Sequence, residues 1–212
     1  METYTNEFHK NHTYIKINDI ERVKLDDLEV LVKDRPIQIG VYSNQNNLIE
    51  LLKKAGFILK RKCYEVEVTK VDLKNSLGTP RLETKLTSKG ELAYKKASDL
   101  LFKYYKKTHE DVSPLTVGFD KFKEILPDQA FYNEKEGQVL MAAFLEDEEI
   151  AYLAGFENNL VEDFINDLLI YLFQYYEEIF FEADTTDPLA TRLRDKFFVK
   201  SDVSYDTYIK YK

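Results

Sequence analysis

The stretch Asn47-Leu48-Ile49-Glu50-Leu51-Leu52-Lys53-Lys54-Ala55-Gly56-Phe57 decides the fold, because what flanks it recurs in altered form near residue 190. A shift of 141 positions lays Leu48, Leu52, Phe57 and Tyr64 on Leu189, Leu193, Phe198 and Tyr205 without a gap. In the same register Ile37-Gln38-Ile39 meets Glu178-Ile179-Phe180, and Cys63-Tyr64-Glu65-Val66-Glu67-Val68 meets Ser204-Tyr205-Asp206-Thr207-Tyr208-Ile209. The match is one of pattern more than identity. Each copy reads as a strand, a polar turn, a helix of about ten residues and a closing strand with period-two alternation. Solenoid units run about 20 to 50 residues. The longer spacing here implies two related domains, or one and a half.

Working outward, residues 13–17 alternate as a strand, and Leu25, Leu28, Leu31 and Val32 mark a short helix ended by Pro36. The Ile/Val content of residues 37–42 predicts a buried strand. Ser43-Asn44-Gln45-Asn46-Asn47 offers side chains to cap the helix that begins at Leu48, and Gly56 suits the left-handed residue that stops it. Residues 58–71 alternate as a long strand, and residues 70–80 read as a linker. The expected organisation is therefore a half domain over residues 1–75 and a complete one over residues 80–212.

In the second part, residues 82–87 alternate as a strand. Ser88 is placed to cap a helix over 89–108 whose inner face is Ala93, Ala97, Leu100, Leu101 and Tyr104. Phe119, Phe122, Ile125 and Leu126 mark a shorter helix ended at Pro127. Residues 138–145 and 150–156 read as strands joined by the acidic tip Glu146-Asp147-Glu148-Glu149. Val161, Phe164, Ile165, Leu168, Leu169, Leu172, Phe173 and Tyr176 keep helical spacing throughout, a broad stripe that must pack on a sheet. Residues 179–182 are the next strand, Pro188 starts the second short helix, and residues 203–211 close the repeat.

Composition sets outer limits. With 212 residues, 44% hydrophobic and 32% charged, the chain can bury a genuine core and is not disordered. Apolar runs such as 139–145 fall far short of the roughly 20 residues that span a bilayer, so no membrane is expected. Residues 1–6 lack the basic flank and apolar stretch of a signal peptide, and the single cysteine forms no internal disulfide, which together favour the cytoplasm. Net charge is −8 but uneven: residues 1–80 carry 13 Lys/Arg against 12 Asp/Glu, whereas residues 128–190 carry 16 acids and one base, Lys135. That field disfavours nucleic acid.

The order β-α-α-β-β-β-α-β-α-β resembles the GNAT superfamily of acyl-coenzyme-A-dependent N-acetyltransferases. The resemblance covers nearly all of the second part and, in the first, about residues 12–71. Its most specific element is the helix ending Leu51-Leu52-Lys53-Lys54-Ala55-Gly56-Phe57, similar to the family's helix closing in Leu-Gly-Phe. The fold it implies is α/β (α+β): a mixed, mostly antiparallel sheet flanked by helices, with a partial second copy at the N-terminus.

The resemblance implies acetyl-CoA as cofactor, its pyrophosphate held by a Gly-rich turn before the long helix. The matching stretch, residues 156–163, has no glycine and carries Glu157, Glu162 and Asp163 at the positive end of the helix. In the first part residues 18–25 also lack glycine, but Arg22 and Lys24 can meet phosphates through their side chains. The tyrosine the family often places four residues before the helix-ending Gly is Leu52 in one copy and Leu193 in the other, and leucine cannot protonate a thiolate. The family's asparagine falls on Gln45, with Asn44 and Asn46 beside it as cofactor contacts or as helix caps.

Among other residues, His9 and His12 read as an exposed pair without a third metal ligand, and Cys63 as a packed thiol. Asp184 and Asp187 could bind a cation or an amine, but as a turn residue and a helix cap they need no such role. Two functions follow. One is acetyl transfer to an amine, with Glu157, Glu182 and Asp184 as carboxylates for a cationic acceptor. The other is a non-catalytic module of the same fold whose acidic part binds a basic protein, a polyamine or another small molecule.

Overall fold

The last strand of the chain, Tyr205–Lys210, lies inside the sheet, between two strands of the first part. The computed structural model describes residues 1–31 and 34–211. In chain order these form β1 (Glu2–Tyr4), β2 (Thr13–Lys16), α1 (Leu25–Glu29), β3 (Ile37–Tyr42), α2 (Asn46–Lys54) and β4 (Ile58–Thr69). Next come β5 (Thr84–Ser88), α3 (Leu92–His109), α4 (Phe119–Lys123), β6 (Gln129–Lys135), β7 (Gln138–Glu146) and β8 (Glu149–Gly155). The chain ends with α5 (Val161–Tyr175), β9 (Glu178–Asp184), α6 (Pro188–Arg194) and β10 (Tyr205–Lys210). All ten strands join one sheet in the order β1-β2-β3-β10-β4-β9-β8-β7-β6-β5. Only the pairs β2–β3 and β8–β9 are parallel.

The 141-residue shift is kept in the hydrogen-bonding register. β10 pairs with β3 so that Asp206 faces Val41 and Tyr208 faces Ile39. β4 pairs with β9 so that Glu65 faces Glu182 and Glu67 faces Phe180, each 141 positions from its counterpart. The two closing strands are thus exchanged: β4 completes the sheet beside β9, and β10 beside β3. The cores follow the same exchange. Val66 and Val68 of β4 are buried with α5 and β9, whereas Tyr208 of β10 is buried with Leu28, Ile39, Leu48 and Leu52. The match in burial fails at several positions, among them Tyr208, buried where Glu67 is exposed. Phe57 is buried and Phe198 exposed, with Phe197 buried in its stead. Gly56 leaves α2 at φ 86°, a conformation open to glycine, whereas its counterpart is Phe197, which cannot follow that path cheaply.

α3 and α5 cover opposite faces. Tyr94 of α3 packs on Phe144, and Phe164 of α5 packs on Phe131, which pairs with Ala143, the residue next to Phe144. On the α5 face, Ile179, Phe181 and Ala183 are buried; they alternate with Glu178, Phe180, Glu182 and Asp184 on the α3 face.

Several local expectations need correction. Neither α2 nor α3 has a side-chain N-cap: the cap residues are Gln45 and Glu91, and Ser88 ends β5. α3 therefore starts at Leu92, three residues after the predicted start at 89, because Lys89 and Gly90 form the turn out of the strand. The short helix around Leu25 ends at Glu29; Val32 lies outside the described residues. β6 carries no predicted range, since its buried run Ala130-Phe131-Tyr132-Asn133 breaks the alternation that marks a strand.

Candidate functional site

The parallel pair β8–β9 holds together over two rows, Glu149 with Phe180 and Ile150 with Phe181. There β8 takes a bulge: its pairing with β7 shifts register between Phe144 and Leu145, which face Tyr152 and Ile150 and leave Ala151 unpaired. A bulge bends its strand, and beyond it β8 and β9 part. Tyr104 of α3 lies against the opening. Its hydroxyl donates to Asp187 Oδ1 at 2.6 Å, and the same oxygen accepts Leu189 N–H (2.9 Å) and Ala190 N–H (3.2 Å). Asp187 is thus the N-cap of α6, as its place before Pro188 predicts. The Phe156 ring stands edge-on to Tyr104 at 5.6 Å.

On the α3 face this opening continues into a cavity of about 330 Å³ over β9 and β4. Its floor is built by alternation. β4 contributes Arg61, Cys63 and Glu65, and β9 contributes Glu182 and Asp184, with Cys63 facing Asp184 and Glu65 facing Glu182 across the ladder. Like charges directly opposite destabilise a sheet, so Glu65 and Glu182 mark a place where the fold tolerates repulsion. Arg61 pairs with Asp184 at 3.1 Å, and both side chains are four-fifths buried. Asp184 Oδ1 and Arg61 Nε nevertheless lack a partner.

Glu182 is an exposed residue at the cavity mouth, and desolvation of its carboxyl there, with the neighbouring Asp184 adding to it, raises its pKa. Asp184 is also pushed up by burial, which outweighs the opposing Arg61 charge. Burial raises the Cys63 thiol strongly, and Asp184 and Glu182 raise it further, which keeps it protonated; it is half-buried in the cavity floor and not, as expected, packed in a core.

The roof is aromatic. Tyr105 stacks on His109 with ring centres 3.7 Å apart and meets Tyr152 edge-on at 6.2 Å. His109 is buried, and its pKa is held at about 3 by that burial and by the Arg61 charge, so the ring is neutral. His9 and His12 are also buried, which overturns their reading as an exposed pair. His9 Nε2 bonds the Tyr105 hydroxyl at 3.2 Å, and His12 Nδ1 bonds Gln38 Oε1 at 2.9 Å. Both fix the N-terminal segment against α3 and β3. Among the described residues no cluster of three or more His, Cys, Asp or Glu is arranged for a metal ion, and no helix is long and apolar enough to cross a membrane.

The sequence-predicted site residues divide. Glu182 and Asp184 line the cavity; Glu157 does not, and is exposed in the turn after β8. Arg22 is exposed and paired with Asp19 at 3.0 Å, and Lys24 precedes α1, where its backbone N–H donates to Asp27. Asn44 and Asn46 are exposed at the start of α2, where neither caps it. These four form no common pocket with Glu182 and Asp184. Arg61, Glu65 and Tyr104 were missed as site residues. The signal available for two of them was the polar series Arg61, Cys63, Glu65, Glu67 at period two, which also describes a solvated face.

The turn from β8 into α5 is where the resemblance sets a pyrophosphate. No side chain caps α5. Its first-turn acids Glu162 and Asp163 bind Lys196 and Arg81, and the residues between Gly155 and Val161 include no glycine. Bulky side chains and two carboxylates at the positive end of the helix do not make a phosphate cradle. Leu52 and Leu193, at the positions of the family's tyrosine, are buried core residues.

No protein-family model matches the sequence, and no curated protein matches it. Solved structures do. A GCN5-related N-acetyltransferase from Sphaerobacter thermophilus matches with a TM-score of 0.56 at 11% identity, over 83% of this chain and 59% of that one. One from Kribbella flavida gives 0.50 at 11%, over 84% and 70%. A GNAT-family acetyltransferase from Colwellia psychrerythraea gives 0.51 at 10%, over 99% and 80%. The chain therefore spans about three fifths of the length of the first of these. The likeness is one of fold: the chain has the fold of the GCN5-related N-acetyltransferases.

Proposed function

We propose that this chain binds the protonated amine of a small organic molecule in the cavity over β4 and β9. The observation that carries this reading is the direct opposition of Glu65 and Glu182, two rows from Asp184 on the same face. These carboxylates, with Asp187 beyond, face the single cation Arg61 within the cavity. An ammonium group seated between Glu65 and Glu182, both exposed at the cavity mouth, converts their repulsion into two attractions. The tyrosine rings overhead offer π-faces to the same cation. Arg61 cannot serve in its place, since it is already committed to Asp184. No step through acetyl-CoA is part of this reading, because the turn before α5 is built without a phosphate cradle.

Isothermal titration and thermal shift with ethylamine, butylamine and spermidine, against butanol and butyrate as neutral and anionic controls, test it. Amines are expected to bind and to raise the melting temperature; at 100 times Kd the gain is about 2.7 kcal/mol. The variant E65Q/E182Q should weaken amine binding at least tenfold. Equal binding of butanol, or no shift with any amine at millimolar concentration, would sink the reading.

Acetyl transfer to the same amine is a second reading. It is favoured by Glu182, whose raised carboxyl pKa beside the parting strands suits a proton acceptor. Formation of the N-acetylated amine from acetyl-CoA, abolished in E182Q, is its test.

A further inference from the structure

Tyr205 is a wall of two cavities. On one side it borders the carboxylate cavity already described. On the other it borders a second cavity, of about 590 Å³, at the parallel pair β2–β3. The mouths of the two adjoin on the α3 face of the sheet, because Asp184, Cys63, Tyr205 and Tyr42 form a continuous cross-strand row from β9 through β4 and β10 to β3; the second then runs between β2 and β3 toward the opposite face. At about 4.8 Å per strand, Asp184 and Tyr42 stand about 14 Å apart.

The second cavity has one apolar wall and one polar wall, the latter from Glu2, Lys16 and Gln45. Tyr4, Tyr42 and Tyr205 bring ring surface to it and are each between two fifths and one half exposed; Ile17 and Ile20 supply half-buried aliphatic lining, and the buried Ile15 and Leu48 close its inner end. Tyr42 and Tyr205 meet edge-on with ring centres 5.2 Å apart. Glu2 and Lys16, cross-strand partners in β1–β2, bring one charge of each sign, so no net field invites a second ammonium. Gly40 sets the shape. A Cβ there would lie 2.3 Å from Tyr205 Oη, so glycine is what lets the Tyr205 ring lie across β3 between the two cavities.

We infer that the two cavities form one bipartite site, in which a linear primary amine sets its ammonium group among Glu65, Glu182 and Asp184 and passes an aliphatic or arylalkyl tail over Tyr205 into the tyrosine-walled cavity. This deepens the proposed function and rests on it. It assigns specificity to the first part of the chain, which supplies the tail cavity through β1, β2 and β3, while the ammonium is held mainly from β9 and β4.

The experiment is a chain-length series of ethylamine, butylamine, hexylamine, octylamine and phenethylamine, titrated into the full chain, into G40A and into Y42S. Tyr42 is an exposed side chain, so Y42S keeps the test available if G40A fails to fold. Affinity for the wild type is expected to rise about three- to fourfold per methylene once the tail passes Tyr205, and the slope should flatten in both variants. A wild-type affinity independent of tail length, or a slope unchanged in both variants, overturns the bipartite site. Ethylamine, too short to reach past Tyr205, tests the ammonium pocket alone. Binding of ethylamine without a length dependence would leave the proposed function standing and remove only this inference; failure of every amine removes both.

Discussion

Glu65 and Glu182 sit directly opposite each other on the antiparallel neighbours β4 and β9, two carboxylates in one cross-strand row. Repulsion of this kind costs stability unless a ligand relieves it. E65Q is therefore expected to stabilise the ligand-free protein by a few tenths of a kcal/mol, within the 0.2–1 kcal/mol range of such pairs, while weakening amine binding. Urea denaturation and titration on the same variant check the opposed signs. A variant less stable than wild type would show that the pair is not repulsive.

Asp187 carries three hydrogen bonds at one oxygen, from Tyr104 and from two backbone N–H groups of α6. D187A removes the N-cap, worth about 1–2 kcal/mol, and strands the buried Tyr104 hydroxyl. The urea midpoint should fall with the slope m unchanged. A loss below about 0.5 kcal/mol would mean that water replaces the carboxylate and that the opening between β8 and β9 is wetter than the packing implies.

The buried imidazole of His109 sets an acid limit. Its folded pKa of about 3 lies below the ordinary value of 6.5, so the unfolded chain binds the proton first. Its contribution is present in full above pH 6.5 and is lost as pH falls from 6.5 toward 3, by up to about 1.4 kcal/mol per unit. His9, also lowered by burial, adds in the same direction. Glu182, Asp184 and Asp187 act oppositely, since their raised carboxyls take up protons more readily in the folded state. H109Q isolates one group: its stability loss between pH 6.5 and 4 should be shallower than that of the wild type. Parallel curves would place the histidine in contact with solvent.

Residues 1–75 and 80–212, produced as separate chains, are each expected to lack a cooperative thermal transition, and to regain one on mixing. Without β10 the first piece leaves β3 with an open edge and lacks the buried Tyr208; without β4 the second loses Val66 and Val68. Open edges also make such pieces prone to aggregate. Two-state unfolding of either piece alone would show that the exchanged strands are dispensable.

Much of the fold is local and so could be read from the residues. Asp187-Pro188 announces the start of α6, Gly56 the stop of α2, and the apolar stripe from Val161 onward the length of α5. The likeness between the two strand-helix-strand units was visible as well. Their exchange was not, because a repeat in sequence says which segments are alike and leaves open which of them pair. The same limit applies to the site. Glu182 and Asp184 could be chosen from their place at a strand end, but Glu65 becomes their neighbour only through the β4–β9 ladder. Arg22, Lys24, Asn44 and Asn46 were chosen for chemistry alone, and no register carries them to the cavity. Tyr104 looked like one more inner-face residue of a helix; its hydroxyl acquires a role only where β8 and β9 part.

The placement of Tyr208 has a consequence for how the chain is made. The hydrophobic cluster around Ile39, Leu48 and Leu52 closes only when Tyr208, about 160 residues further along, has been synthesised. At a translation rate of about 5–20 residues per second, that leaves the early cluster incomplete on the ribosome for on the order of ten seconds. During this interval the edge of β3 is open to any strand that reaches it, until β10 arrives to cover it.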